Sequence, residues 1–203
     1  GVLGSRGLGD VYKRQDEKTA AYYGIPLSEI DWIRIDDEAQ YEKVLTYDVS
    51  TLEPQLSCPQ GVDNVYPISE VLGTPMDEVY IGSCTNGSLE DLKAAADILR
   101  GKKVANHVRV IVVPATNTVF KEAIEKGYIK DFIEAGCVIS HPCCGLCCGM
   151  PYGLMYDDER ILLTANRNFI GRQGTKKTLG YLSSSAVAAA TALTGVVTDP
   201  RTL

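Results

Sequence analysis

Basic charge, histidine and long apolar runs are all scarce in this sequence, and each scarcity closes off a class of function. Lysine and arginine total 20 against 26 aspartates and glutamates, a net charge of −6. A nucleic-acid binder normally carries a basic face, so that role is disfavoured. The longest nearly apolar stretch, about 186–197, is broken by threonines and a glycine and falls short of the ~20 residues that span a bilayer. No targeting segment is visible, and the default expectation is a soluble, reducing, cytoplasmic setting. Internal repeats and low-complexity tracts are missing. With 45% hydrophobic residues in 203, the chain has material for a real core, and composition excludes a disordered, collagen-like or coiled-coil chain.

Cysteine is present in quantity. There are seven, an odd number, and four fall within six residues at Cys143, Cys144, Cys147 and Cys148. That bunching suits metal or redox chemistry better than a disulfide framework. Of the two histidines, His107 reads as a solvated residue between a helix and a strand. His141 stands beside the cysteine loop and is a candidate to support it from behind.

Three regions are expected. Residues 1–15 have four glycines in the first nine positions and no sustained apolar period. They read as a non-native or artefactual lead-in, with a native flexible lead-in as the alternative. Residues 16–75 are polar and turn-rich, marked by Glu53-Pro54, Cys58-Pro59 and Asp63-Asn64, and read as the end of a preceding domain plus a connector. Residues 76–203 are regular. Val79-Tyr80-Ile81 is a strand that stops at Gly82-Ser83-Cys84-Thr85-Asn86-Gly87. Ser88 then caps a helix with Asp91 three positions on, and Leu89, Leu92, Ala95, Ala96 and Leu99 mark its apolar face. Val108–Val113 is a second strand, followed by a helix with Gly127 as its stop. Cys137-Val138-Ile139 runs into the cysteine loop, and Ile161–Thr164 runs into Asn166-Arg167. An alanine-rich helix over Ser184–Thr194 closes at Gly195. This alternation predicts an α/β domain with a mainly parallel sheet flanked by helices. Ligand sites in such sheets lie beyond the carboxyl ends of the strands. Cys84, Pro114–Asn117, the cysteine loop and Asn166-Arg167 all fall at such ends.

Cys84 with Cys144-x-x-Cys147 offers three thiolates from two loops. A structural zinc site would want a fourth ligand, and a thioredoxin-type dithiol would open a helix directly after a strand. Inert packed thiols suit Cys58 and Cys137 better than four cysteines in one glycine-rich loop. An iron–sulfur cluster on three thiolates leaves one iron open as a Lewis acid for a hydroxyl. On the same rim Asn166, Arg167 and Arg172 offer hydrogen-bonding forks for carboxylates.

The segments Ile81–Gly87, Cys144-Gly145-Leu146-Cys147 and Asn166-Arg167-Asn168-Phe169-Ile170-Gly171-Arg172 resemble, in order and spacing, the aconitase superfamily. Within it they look most like large subunits of the 3-isopropylmalate dehydratase branch, with homoaconitase next. Asp199-Pro200-Arg201 and Tyr181–Ser185 look like the same two-subunit branch. The resemblance runs from about Asp16 to the carboxyl terminus. It implies that Cys84, Cys144 and Cys147 hold a [4Fe-4S] cluster and that Asn166, Arg167 and Arg172 contact or order a small hydroxy acid. It also implies a hydro-lyase reaction interconverting 2- and 3-isopropylmalate in leucine biosynthesis. Homoaconitase, aconitase and dimethylmalate dehydratase are the alternatives, and an iron-responsive RNA-binding relative is a further one. The resemblance implies a small-subunit partner that brings the general base, no catalytic residue within this chain, and a chain incomplete for catalysis. Leu146, Gln60 and Gln173 depart from the usual proline, histidine and methionine. Cys143 and Cys148 fall where relatives have other residues, and they are given no ligand role.

Overall fold

The structure, a computed structural model, describes residues 3–6, 10–13, 24–30, 40–149 and 153–203, together with Glu17, Ala20, Ala21 and Glu38. The chain divides into two compact units, residues 1–49 and residues 50–203. In the first, β1 (Leu3–Arg6) and β2 (Asp10–Lys13) form an antiparallel ladder with Leu3 opposite Lys13 and Arg6 opposite Asp10, and α1 (Leu27–Ile30) is a single turn. The ladder lies in the stretch for which the sequence predicts no element. Pairing of this kind is local and rests on backbone groups, so no apolar period announces it.

The second unit grows from β-branched runs. Its strands are β3 (Gln55–Ser57), β4 (Val65–Pro67), β5 (Glu78–Gly82), β6 (Arg109–Val113), β7 (Val138–Ile139), β8 (Arg160–Leu163) and β9 (Leu179–Leu182). Its helices are α2 (Ile68–Val71), α3 (Ser83–Asn86), α4 (Leu89–Leu99), α5 (Asn117–Glu125), α6 (Tyr128–Ala135) and α7 (Ser185–Thr194). The seven strands form one sheet in the order β4-β3-β9-β8-β5-β6-β7. From β9 to β7 all pairs are parallel, and β3 is antiparallel to both β9 and β4. The mainly parallel α/β sheet is therefore as predicted. Its central strands are apolar and buried almost throughout, as parallel strands covered on both faces are. Among the described residues no helix is long and apolar enough to cross a membrane.

Register sorts the side chains between the two faces. Val79 lies opposite Val110 and Leu162, and Tyr80 lies opposite Ile111 and Leu163. The Val79 face carries the larger core, where α4 and α7 meet through Ala95, Ala96, Ala188 and Ala192, and Phe132 of α6 fills the flank. The Tyr80 face carries a smaller core closed by Leu146 and Met155. The cysteine loop is thus part of the cover of that face. Leu146 is fully buried, and burying a leucine contributes about 1.5–3 kcal/mol, which holds the loop against the sheet.

Local signals fix the helix ends. Ser88 and Asp91 make the predicted capping box of α4, and Ser184 caps α7, which ends at left-handed Gly195. Gly127 does more than stop a helix. With φ +81° it joins α5 to α6, a helix the sequence reading does not anticipate. The second unit begins at Ser50. Ser57 of β3 pairs with Leu182 of β9, and Leu56 and Ile68 are fully buried in the larger core, so residues 50–75 contribute strands and core side chains to this unit.

Candidate functional site

The site starts where β5 ends. Gly82 has φ +111°, and a Cβ there would lie 2.0 Å from Val113 O, so only glycine fits. Ser83 follows at φ +74°, and the short α3 then presents Cys84 to solvent. Thr164, buried just after β8, locks this turn. Its hydroxyl accepts from Gly82 N at 2.7 Å and donates to Gly82 O at 3.2 Å, and Asn86 donates to its carbonyl. Asn166 then donates to Thr85 Oγ1 at 2.6 Å. The loops after β5 and β8 are therefore tied together next to Cys84.

The cysteine loop follows β7. Tyr80, fully buried, donates its hydroxyl to Cys144 O at 3.2 Å. Gly145, at φ +46°, lets the chain pass close over that hydroxyl, 3.0 Å from where a Cβ would sit. A 3-10 turn, Gly145–Cys148, then carries Cys147 and Cys148. Cys84, Cys143, Cys144 and Cys148 are exposed and Cys147 is half-buried. Neighbouring thiols push the Cys144 pKa up: Cys148 is the largest cause, then burial, then a hydrogen bond with Cys148, then Cys84 and Cys147. The Tyr80 pKa is also raised, first by burial and then by the four loop cysteines. The thiols of both loops therefore lie within electrostatic reach of one another. Cys58 and Cys137 are buried elsewhere, and burial pushes the Cys137 thiol up to about 12. Among the described residues no three His, Cys, Asp or Glu side chains are grouped to hold a metal ion.

Arg172 approaches the cysteine loop. Its Nη2 lies 3.9 Å from Cys147 Sγ, while its Nε is buried without a partner among the described residues. Gly149 makes this approach possible, since a Cβ there would stand 2.9 Å from Arg172 O. Arg167 is exposed and donates to Asn166 O at 2.9 Å, and Gln173 donates to Arg167 O at 3.1 Å. Beside Arg172 an open cavity of about 430 Å³ is lined by Gly149, Leu154, Met155, Tyr156, Gly171, Gly174 and Thr175. His141 is exposed and stacks edge-on to Phe120 of α5, and His107 is exposed.

Sequence reasoning passed over Tyr80, Thr85 and Thr164. Two-residue alternation marks Tyr80 as facing away from Val79 and Ile81, and Thr164 is the polar end of an apolar run. Their partners, however, depend on strand register.

A family model described as "Aconitase family (aconitate hydratase)" matches residues 69–195. A probable 3-isopropylmalate dehydratase large subunit of Methanosarcina mazei is 48% identical over 189 residues, 92% of this chain and 45% of that protein. The 3-isopropylmalate dehydratase large subunit 1 of Archaeoglobus fulgidus is 50% identical over 169 residues, 83% of this chain and 40% of that protein. The large subunit from Geobacter metallireducens is 50% identical over 175 residues, covering 86% and 41%. The chain spans less than half the length of these curated relatives.

Proposed function

This chain belongs to the aconitase family, and from that premise we propose that it is the cluster-holding part of a hydro-lyase of the 3-isopropylmalate dehydratase large-subunit type. What supports the reading is that Cys84 stands on the loop after β5 and Cys144 and Cys147 on the loop after β7, with Arg172 Nη2 3.9 Å from Cys147 Sγ. Donor chemistry fits an iron–sulfur cluster. All three are free cysteines, and none is fully buried. Cys84, Cys144 and Cys147 would hold a [4Fe-4S] group, which supplies an open iron as Lewis acid toward a substrate hydroxyl.

The chain's own residues do the rest of the binding. Arg172, whose buried Nε has no partner among the described residues, offers a guanidinium fork to a substrate carboxylate. Arg167 and Asn166 offer further donors at the exposed rim. Thr164 and Tyr80 keep the two thiol loops in place. The reaction read from this set is removal and readdition of water, interconverting 2- and 3-isopropylmalate in leucine biosynthesis. The general base comes from a separate small subunit, and a cytoplasmic setting fits the free thiols.

Anaerobic reconstitution with iron and sulfide tests the ligand assignment, read by absorbance and electron paramagnetic resonance. The 203-residue chain is expected to develop an iron–sulfur chromophore that Cys84→Ser weakens or abolishes. Zinc uptake without iron colour, or a signal indifferent to Cys84→Ser, would sink the assignment. The full-length parent is expected to dehydrate 2- and 3-isopropylmalate only with its small subunit present.

A further inference from the structure

Arg167 stands between two anchored neighbours, and its own backbone is held from beneath by Gln173, which the function proposed above does not use. On one side Asn166 donates to Thr85 Oγ1 at 2.6 Å. On the other, the buried amide of Asn168 donates to Ser57 Oγ at 3.2 Å, Cys58 O at 3.0 Å and Gly180 O at 3.1 Å. Those anchors still leave two soft torsions between them, ψ of Arg167 and φ of Asn168. Gln173 acts on that remaining freedom. It is buried, and its Nε2 donates to Arg167 O at 3.1 Å. Its own main chain is fixed in turn, because Gln173 O accepts from Met155 N at 3.0 Å. Gly180 of β9 makes room for both amides. A Cβ there would lie 2.9 Å from Gln173 Oε1 and 3.4 Å from Asn168 Cβ.

We propose that Gln173 is a positioning residue for Arg167: its buried amide holds the Arg167 carbonyl, so that the exposed guanidinium meets a substrate carboxylate from a fixed backbone. The restraint on the peptide follows from the hydrogen bonds, and only its consequence for substrate rests on the dehydratase reading. A glutamine suits the task because its amide carries two donors and no charge, so it can sit buried against a carbonyl. A methionine of similar length fills the same slot and donates nothing, which leaves the carbonyl without that partner. Arg167 spends one donor on Asn166 O at 2.9 Å, and further N–H groups of the fork face outward at the exposed rim for a carboxylate. A guanidinium carried on an already ordered backbone loses less freedom when it binds, so the restraint favours binding without adding a contact to the substrate.

The restraint is tested in the 203-residue chain by magnetic-resonance relaxation of the Asn168 backbone amide, which belongs to the same peptide as Arg167 O. Its order parameter is expected to fall from about 0.85 to about 0.6 in Gln173→Met, while that of Leu162 in β8 stays at about 0.85. Gly180→Ala keeps Gln173 in the sequence but pushes its flexible amide aside, and the same fall is expected. An unchanged Asn168 value in whichever of the two variants folds overturns the proposal. In the full-length parent with its cluster and small subunit, Gln173→Met is expected to raise KM for 3-isopropylmalate about fivefold, with kcat within about twofold. On an Arg167→Ala background the same change should add less than about twofold. A full further fivefold there would show that Gln173 does not act through Arg167, and the proposal would fall. The dehydratase reading fails separately: a parent that turns over no isopropylmalate, or a KM indifferent to Arg167→Ala, removes that reading, while the order parameters still decide whether Gln173 holds the Arg167 peptide.

Discussion

Glu78 is fully buried at the start of β5, with Arg109 Nε 2.8 Å from one carboxylate oxygen and the other oxygen unpartnered among the described residues. Burial lifts its pKa from 4.5 to about 7 against the opposing pull of Arg109, and Glu159, which shares that arginine, adds an upward push. A carboxylate with a raised folded pKa binds more protons folded than unfolded. Its contribution to stability is therefore full below pH 4.5 and is lost as pH rises through about 7. Asp97, Asp157 and Asp199 have lowered values and act the other way, but below their ordinary 3.8. Melting temperature is accordingly expected to fall from about pH 5 to about pH 8. Glu78→Gln should flatten that fall, a differential on the order of 2–3 kcal/mol. An undiminished slope in the variant would assign the titration to another group. Gly82 gives a sharper residue-scale expectation. Its φ of +111° and the Val113 carbonyl leave no room for a methyl group. Gly82→Ala should lower unfolding free energy by about 3–5 kcal/mol in a denaturant titration, and a loss below ~1 kcal/mol would mean the turn relaxes readily.

At the scale of the element, what was legible is what local chemistry decides. The Ser88–Asp91 capping box and the apolar face from Leu89 to Leu99 specify α4 before any packing is known. Ser88→Ala is expected to shift the denaturation midpoint by about 0.5–2 kcal/mol at unchanged slope. A changed slope would show that the helix end frays into a different native state. The runs that became β5, β6 and β8 were equally readable, because strands buried on both faces are apolar along their length. By contrast α6 was hidden by Gly127, which satisfies the stop rule for α5 yet starts the next helix one residue later. The β9 segment Leu179–Leu182 and the β3 segment Gln55–Ser57 are too short for a period, and their pairing is long-range. The site divides the same way. Cysteine spacing showed where thiols gather. The approach of Arg172 to Cys147 and the clamp of Thr164 on Gly82 arise only once register is set.

For the molecule as a whole, these long-range strands decide where an independently stable unit begins. Residues 50–203 hold the complete seven-stranded sheet and both of its cores. A chain beginning at Ser50 is expected to keep its cooperative melting transition within about 3 °C. A chain beginning at Met76 loses β3, β4 and α2. Leu56 and Ile68 no longer fill the larger core, at about 1.5–3 kcal/mol each. Asn168, buried behind the Asn166-Arg167 loop, loses Ser57 Oγ and Cys58 O as acceptors and keeps only Gly180 O. A buried amide short of partners costs a further 1–3 kcal/mol or so. The total, on the order of 5 kcal/mol, is comparable with the whole stability of many domains. The shorter chain should therefore melt broadly or associate, as circular dichroism and size-exclusion chromatography would show. Identical melting of the two chains would make the β3–β4 hairpin an accessory. It would also return the boundary to the neighbourhood of residue 76 and leave the Asn166-Arg167 loop held by β8 and β9 alone.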